Sequence, residues 1–217
     1  MMPISLDIET SGVDFVKNGI WQIGAVDLNN PEETFLEEAR IDDEDEISEE
    51  SLKITGKTEE ELRDKNKQSQ KELLNKFLKW VAGRKIKNFV CQCPQFDMGF
   101  IITKINKYGF EKSFHHRAFD THSIAQTIFY KINKEFVMDG DHSGFGLNKI
   151  IDFCGIKADR LEIINNQVSK GSPHNALEDC KLTGECFSRL MFGKNLFPEY
   201  SQFEIPEVLI KWILNQL

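Results

Sequence analysis

No stretch of this 217-residue sequence approaches the ~18 consecutive apolar residues of a membrane-spanning helix, so an integral membrane protein of the helical kind is not expected. The amino-terminal MMPISLDIET has neither a basic n-region nor a cleavable apolar segment. No signal peptide is therefore expected, and a cytoplasmic location is. Cysteine is sparse and odd in number: Cys91, Cys93, Cys154, Cys180 and Cys186 show no framework spacing, so free thiols are expected. Cys91-x-Cys93 with His115, His116 and His122 matches no standard structural zinc spacing. Gly144-Phe145-Gly146 lacks the strand and the third glycine of a dinucleotide fingerprint. Basic charge is also in deficit, with 27 Lys+Arg against 35 Asp+Glu and a net charge of −8. That argues against a nonspecific nucleic-acid binder with a basic stripe. It leaves nucleic acid open as a substrate, because a bound divalent cation reverses the local field of an acidic site. No internal repeat or low-complexity segment is present.

What remains is a chain of one domain's length, 40% apolar with 17 Phe, enough for a sizeable core. Pro3 to Glu9, Gly19 to Leu28 and Glu33 to Ile41 read as three successive strands with short connections, an antiparallel meander. Asn29-Asn30-Pro31 marks a turn. The acidic run from Glu37 to Glu50 reads as a solvated, mobile connection. Thr58 with Glu61 forms a capping box. Leu73, Leu74, Phe77, Leu78 and Val81 recur at helical period over 70–82, ended by Gly83. Ile86 to Cys91 is strand-like, Phe96 to Tyr108 is helical, and a helix opens after a short strand at Phe119-Asp120-Thr121, with Asp120 or Thr121 as its cap. Asp139 to Gly144 reads as a turn-rich loop. Gly146 to Cys154 and Asn175 to Met191 are further helices. The alternation gives an α/β fold, a mixed sheet flanked by helices. The final stretch, 197–217, carries Val208, Leu209, Trp212 and Ile213. It is either a helix packed on the domain, which is favoured, or a homodimer or partner contact.

Three acidic stations stand out. In Leu6-Asp7-Ile8-Glu9-Thr10, alternation along a strand puts both carboxylates on one face. Two such acids repel and are costly to desolvate, a cost that divalent metals offset. Thr10-Ser11-Gly12 then makes a small turn that a ligand can approach. Asp97 follows a strand, Pro94 and Phe96, at a strand-to-helix junction over the sheet end, where open α/β sheets bind ligands. In Ser172-Pro173-His174-Asn175-Ala176-Leu177-Glu178-Asp179, Asn175 and Glu178 have capping-box spacing, and Ser172 with Pro173 offers a competing register. With Asn175 as cap, His174 is a loop residue beside a helical carboxylate, suited to general-base work at an ordinary pKa of ~6.5.

The ordered set D-x-E-T, F-D at a helix start and H-N-A-L-E-D resembles the DEDDh 3′→5′ exonucleases, the group of proofreading exonucleases, RNase T and oligoribonuclease. The likeness extends through Gly19 to Val26, Ile54 to Thr58, Asp120-Thr121 and Gly146-Leu147, about residues 3 to 192. It implies a ribonuclease-H-like fold with a five-stranded mixed sheet whose second strand is antiparallel. It implies an exonuclease domain over 1–195 and a helical extension over 196–217. It makes Asp7, Glu9, Asp97 and Asp179 the metal carboxylates for two Mg2+ or Mn2+ ions and His174 the general base. Such a cation pair clamps both the attacking and the leaving oxygen of a phosphodiester. Thr10, Ser11, Gly12, Ile54 and Phe96 are expected in the terminal-nucleotide pocket, and Phe15 and Phe96 as stacking platforms. The expected substrate is a single-stranded 3′ end, DNA slightly ahead of RNA, with nucleoside 5′-monophosphates as products. An exoribonuclease and an inactive nucleic-acid-binding module are the alternatives, and a polymerase contact through the terminal helix is among the expected partners. One departure is Gln92-Cys93-Pro94, where the family commonly has His-Asn.

Overall fold

The computed structural model describes residues 1–161 and 171–215, together with the backbone of 163–164 and 167–168. Its centre is β1 (Ile4–Thr10). β2 (Ile20–Asp27) and β3 (Thr34–Glu38) flank it on one side, β4 (Phe89–Cys91) and β5 (Phe119–Asp120) on the other. In the order β3-β2-β1-β4-β5 only β2 runs against the rest. An antiparallel second strand and a five-stranded mixed sheet are what the family resemblance implied.

Alternation along β1 explains why both faces are covered. Ile4, Leu6 and Ile8 enter a core with α3 (Gln70–Ala82) and α4 (Pro94–Tyr108), including Leu73, Phe77, Phe100 and Ile101. The opposite face meets a second core under α5 (Thr121–Asn133), α6 (Leu147–Phe153) and α7 (Ala176–Phe192). β2 is buried from Ile20 to Val26, as a strand covered on both faces must be. Pairing of β1 with β4 is confined to Ile4↔Phe89 and Ser5↔Val90. Beyond that point the ladder ends, and the carboxyl end of β1 faces a crevice.

Several expectations need correction. The acidic run is an ordered strap rather than a mobile connection. Asp45 is 3% exposed and meets the buried Lys104 Nζ at 2.8 Å, while Gln70 Nε2 donates to it at 2.8 Å. Lys107 and the Tyr108 hydroxyl both donate to Asp42, and Arg63 donates to the Asp42, Asp43 and Asp45 carbonyls. Cations from one distant helix, α4, and from the loop before α3 therefore offset the like charges that argued for an open chain. The strap leads into α1 (Glu49–Thr55), whose cap is Ser48, and then α2 (Glu59–Leu62), where the Thr58–Glu61 capping box forms in full. Pro94 does not precede α4 but begins it, since a missing N–H costs nothing in the first turn. Phe119-Asp120 is itself the fifth strand, and Asp120 caps α5. The segment 139–144 contains a hairpin, β6 (Met138–Asp139) with β7 (His142–Ser143), turned at Gly140 with φ 59°. A second short hairpin pairs β8 (Ile163–Ile164) with β9 (Gln167–Val168).

The carboxyl-terminal stretch forms a 3-10 turn at Pro198–Tyr200 and then α8 (Glu207–Leu214). Leu209, Phe197 and Tyr200 are buried in the second core; Leu209 alone contributes about 1.5–3 kcal/mol on burial. Arg189 and Glu185 are fully buried and paired at 2.8 Å. Arg189 donates to the Cys154, Tyr200 and Phe203 carbonyls, and Glu185 accepts from the Leu196 and Phe197 amides. All five cysteines are free thiols. Among the described residues no helix is long and apolar enough to cross a membrane.

Candidate active site

The acids on β1 face α7. Ser5 shares their side of the strand and donates its hydroxyl to the Cys180 carbonyl of α7 at 2.7 Å. The helix comes this close because Gly24, opposite Asp7 on β2, has no side chain. A Cβ there would lie 2.3 Å from the Ala176 carbonyl carbon. Gln22 Oε1 accepts the Ala176 N–H at 2.8 Å, and the Cys180 thiol donates to the Gly24 carbonyl at 3.0 Å. Asn175 is the N-cap, accepting from the Leu177 and Glu178 amides, so the Asn175 register holds and the Ser172 register does not. Asp179 then lies one turn into α7, 4% exposed, above Asp7 and Glu9.

Asp97 arrives from the other side. It sits in the first turn of α4, and its Oδ1 accepts the Ile8 N–H at 3.2 Å, a donor the β1–β4 ladder leaves unused. The side chain thus bridges the gap where the two strands part. Gln92, at the departure from the family pattern, donates its Nε2 N–H to the Phe145 carbonyl at 3.2 Å.

Burial raises the pKa of Asp7, Glu9 and Asp97. Asp7 is held well above the ordinary carboxylate range by burial first, then by Asp179, Asp97 and Glu9. Glu9 is pushed up to about 8 by burial and Asp179, and Asp97 to about 8 by burial. These are carboxylates whose ionised forms need a cation.

Arg160, a residue no local sequence pattern singled out, supplies positive charge. Its Nε donates to Asp179 Oδ1 at 2.7 Å, a second guanidinium nitrogen donates to Oδ2, and a third to Asn148. Burial depresses the His174 pKa first, and Arg160 next. His174 Nε2 lies 3.0 Å from the Leu161 carbonyl. A carbonyl only accepts, so Nε2 carries the proton and the Nδ1 lone pair faces the acids. Nδ1 is 3.9 Å from Asp179 and 3.5 Å from Arg160. Donor atoms of Glu9, His174 and Asp179 all lie within 4.8 Å of one another.

The four acids and His174 line one cavity of about 490 Å3, with Thr10, Gly12, Val13, Ile54, Phe96 and Arg160 also on its wall. α1 delivers Ile54, whose carbonyl accepts the His174 N–H at 3.4 Å. Two expected pocket residues are not on the wall. Ser11 is fully buried, its hydroxyl donating to the Glu46 carbonyl and accepting the Gly19 N–H; it shapes the turn. Phe15, 45% exposed, packs edge-on to Phe100 over Gly99. Ser48, Ser51 and Thr55 also reach the wall; Thr55 lies in the 54–58 stretch of the family likeness, whereas Ser48 and Ser51, in the strap and α1, carried no sequence signal.

Comparison with known proteins accords with this geometry. Residues 4–187 match the RNase T exonuclease family. The chain is 25% identical over 208 residues to the PolC-type DNA polymerase III of Caldanaerobacter subterraneus subsp. tengcongensis, covering 96% of this chain but 13% of that protein. Cell-death related nuclease 4 superposes with TM-score 0.63 at 14% identity, over 86% of this chain and 62% of that one. E. coli exonuclease I in complex with a dT13 oligonucleotide gives TM-score 0.60 at 16% identity, over 87% and 41%. The nuclease domain of 3′hExo, a DEDDh member bound to rAMP, gives 0.61 at 18%, over 86% and 90%. With the family match spanning most of its length, and with the mixed sheet expected of ribonuclease-H-like enzymes, this chain belongs to the RNase T exonuclease family of DEDDh 3′→5′ exonucleases.

Proposed function

We propose that the protein is a divalent-metal-dependent exonuclease that removes nucleoside 5′-monophosphates from single-stranded 3′ ends, with DNA preferred over RNA. The observation that carries this reading is the convergence of Asp7, Glu9, Asp97 and Asp179 with His174 on one cavity wall. The four carboxylates fit Mg2+ or Mn2+: they are all hard oxygen donors, and burial raises the pKa of Asp7, Glu9 and Asp97. Asp7, Glu9, Asp97 and Asp179 would hold two such ions. When bound, these would polarise the scissile phosphate and neutralise charge on the attacking and departing oxygens.

His174 does the proton work. Its Nδ1 lone pair accepts a proton from the attacking water, and the Leu161 carbonyl holds the ring's other N–H and so fixes its orientation. Asp97 positions the end of β1 through the Ile8 amide. Thr10, Gly12, Ile54 and Phe96 seat the terminal nucleotide, with Phe96 presenting an aromatic face to the base. Ser11 supports that wall from behind. The catalytic unit is 1–195 and 196–217 an extension to it, whose 200–203 stretch Arg189 clamps to the domain.

The preference for DNA is supported by the likeness to a PolC-type DNA polymerase over 96% of this chain. Matched single-stranded DNA, RNA and dinucleotide substrates with Mg2+ or Mn2+ test it. Faster DNA hydrolysis is expected. Faster RNA or dinucleotide hydrolysis would make the protein an exoribonuclease or oligoribonuclease, and binding without hydrolysis of any substrate would make it a nucleic-acid-binding module.

A further inference from the structure

We propose that Cys93, Asp120 and His122 form a second cation site on the rim of the cavity, for one borderline-soft dication of the zinc class. The donor atoms of these three residues lie within 4.8 Å of one another. They come from two adjacent strand-to-helix junctions: Cys93 caps α4 and Asp120 caps α5, and β4 and β5 pair in parallel beside them. His115 and His116, which the sequence had placed with the same cysteines, stack on each other instead, and Cys91 is fully buried.

The neighbourhood orients the donors. Val137 donates its N–H to Gln126 Oε1 and accepts from Gln126 Nε2, which fixes that amide. Gln126 Nε2 also donates to Ser143 Oγ at 2.5 Å, and Ser143 Oγ meets His122 Nε2 at 2.6 Å. The outer ring nitrogen is thereby engaged, and Nδ1 is the one near Asp120, 4.0 Å from its Oδ2. Ligating histidines are commonly held through their other nitrogen in this way. Asp120 Oδ1 accepts the Cys93 and His122 amides, and Ser123 donates to Oδ2. Cys93 is held at φ 60°, one of two non-glycine residues with positive φ among those described. That conformation is uncommon for a side chain of this kind.

The donor chemistry selects the ion. One thiolate, one carboxylate and one imidazole suit Zn2+ or Co2+ and not Mg2+. Two anionic ligands balance the dication, and three protein ligands leave a fourth position for water. Binding displaces the thiol proton to solvent. The ion would join the β4–α4 junction, which carries Asp97 one turn after Cys93, to the β5–α5 junction.

The test uses the full chain, stripped with chelator, returned to excess Mg2+ and titrated with Co2+. A single equivalent should produce thiolate-to-cobalt charge-transfer absorption, which Zn2+ then abolishes. Cys93→Ser should remove the band. His122→Ala should weaken Co2+ binding, and Ser143→Ala should weaken it about 10-fold or more through the imidazole it positions, with unchanged circular dichroism in each case. No band in the folded wild-type protein, or a band that persists in Cys93→Ser, overturns the proposal.

Discussion

Arg160 and Asp179 share a bidentate contact inside the acidic cluster, so Arg160 competes with any cation for that carboxylate. A charge-assisted pair of this kind is worth about 1.5–3 kcal/mol. Arg160→Gln should therefore tighten Mn2+ binding by roughly 10-fold, taking about 1.4 kcal/mol of that as released competition, as read by calorimetric titration; unchanged or weaker binding would show that Arg160 does not compete. Glu9 and Asp97 titrate near 8 in the folded chain, far above their unfolded values. Between those limits the folded state holds protons the unfolded chain has lost. Their contribution to metal-free stability is full at acid pH and is lost as pH rises towards about 8. Thermal unfolding in chelator should show this decline, Glu9→Gln should flatten it, and Mn2+ should stabilise most at the alkaline end. For His174, burial and Arg160 lower the pKa, so the acid limb of the pH–rate profile should fall below the ordinary ~6.5. His174→Ala should remove that limb and cost about 10²–10⁴-fold in rate. That Asp7, Glu9, Asp97, His174 and Asp179 would meet, as they do on one cavity wall, was legible in the sequence because each sits in a short local pattern. Arg160 was not, because its partner Asp179 is 19 residues away with no pattern between them.

The approach of α7 to β2 depends on Gly24. Gly24→Ala puts a methyl against the Ala176 backbone, where neither element has a flexible side chain to yield. It should cost about 1–3 kcal/mol in denaturant unfolding, and activity should fall with it because Asp179 moves away from β1; wild-type activity would show that the helix has room. The strap between β3 and α1 depends on Asp45 and Lys104. Asp45→Ala leaves a buried ammonium without its partner and should destabilise by about 3–5 kcal/mol, whereas Asp45→Asn with Lys104→Met should recover much of that loss. The contrast explains what was readable at this scale. β1, β2, α3 and the Thr58 capping box follow from periodicity and local hydrogen bonding. The strap looked open because its charges were counted without Lys104, which lies 59 residues from Asp45.

Across the whole molecule, two cores share one sheet, and the cavity opens where β1 and β4 part. The β1–β2–β3 meander was legible from its short connections, and the five-stranded mixed sheet was what the resemblance to the DEDDh exonucleases implied. The docking of the carboxyl-terminal segment was only partly so. Val208, Leu209 and Trp212 showed an apolar face, but the fully buried Glu185–Arg189 pair that fixes its course reads in sequence as an ordinary exposed i,i+4 pair. The central claim is tested most directly by incubating 5′-labelled single-stranded DNA with the wild-type chain and its Asp7→Ala and Asp179→Ala variants, with Mg2+ and with chelator. The account predicts a ladder shortened stepwise from the 3′ end, nucleoside 5′-monophosphate as product, no ladder in chelator, and loss of most activity in both variants. Shortening from the 5′ end, internal cleavage, turnover in chelator, or full activity in either variant would contradict it.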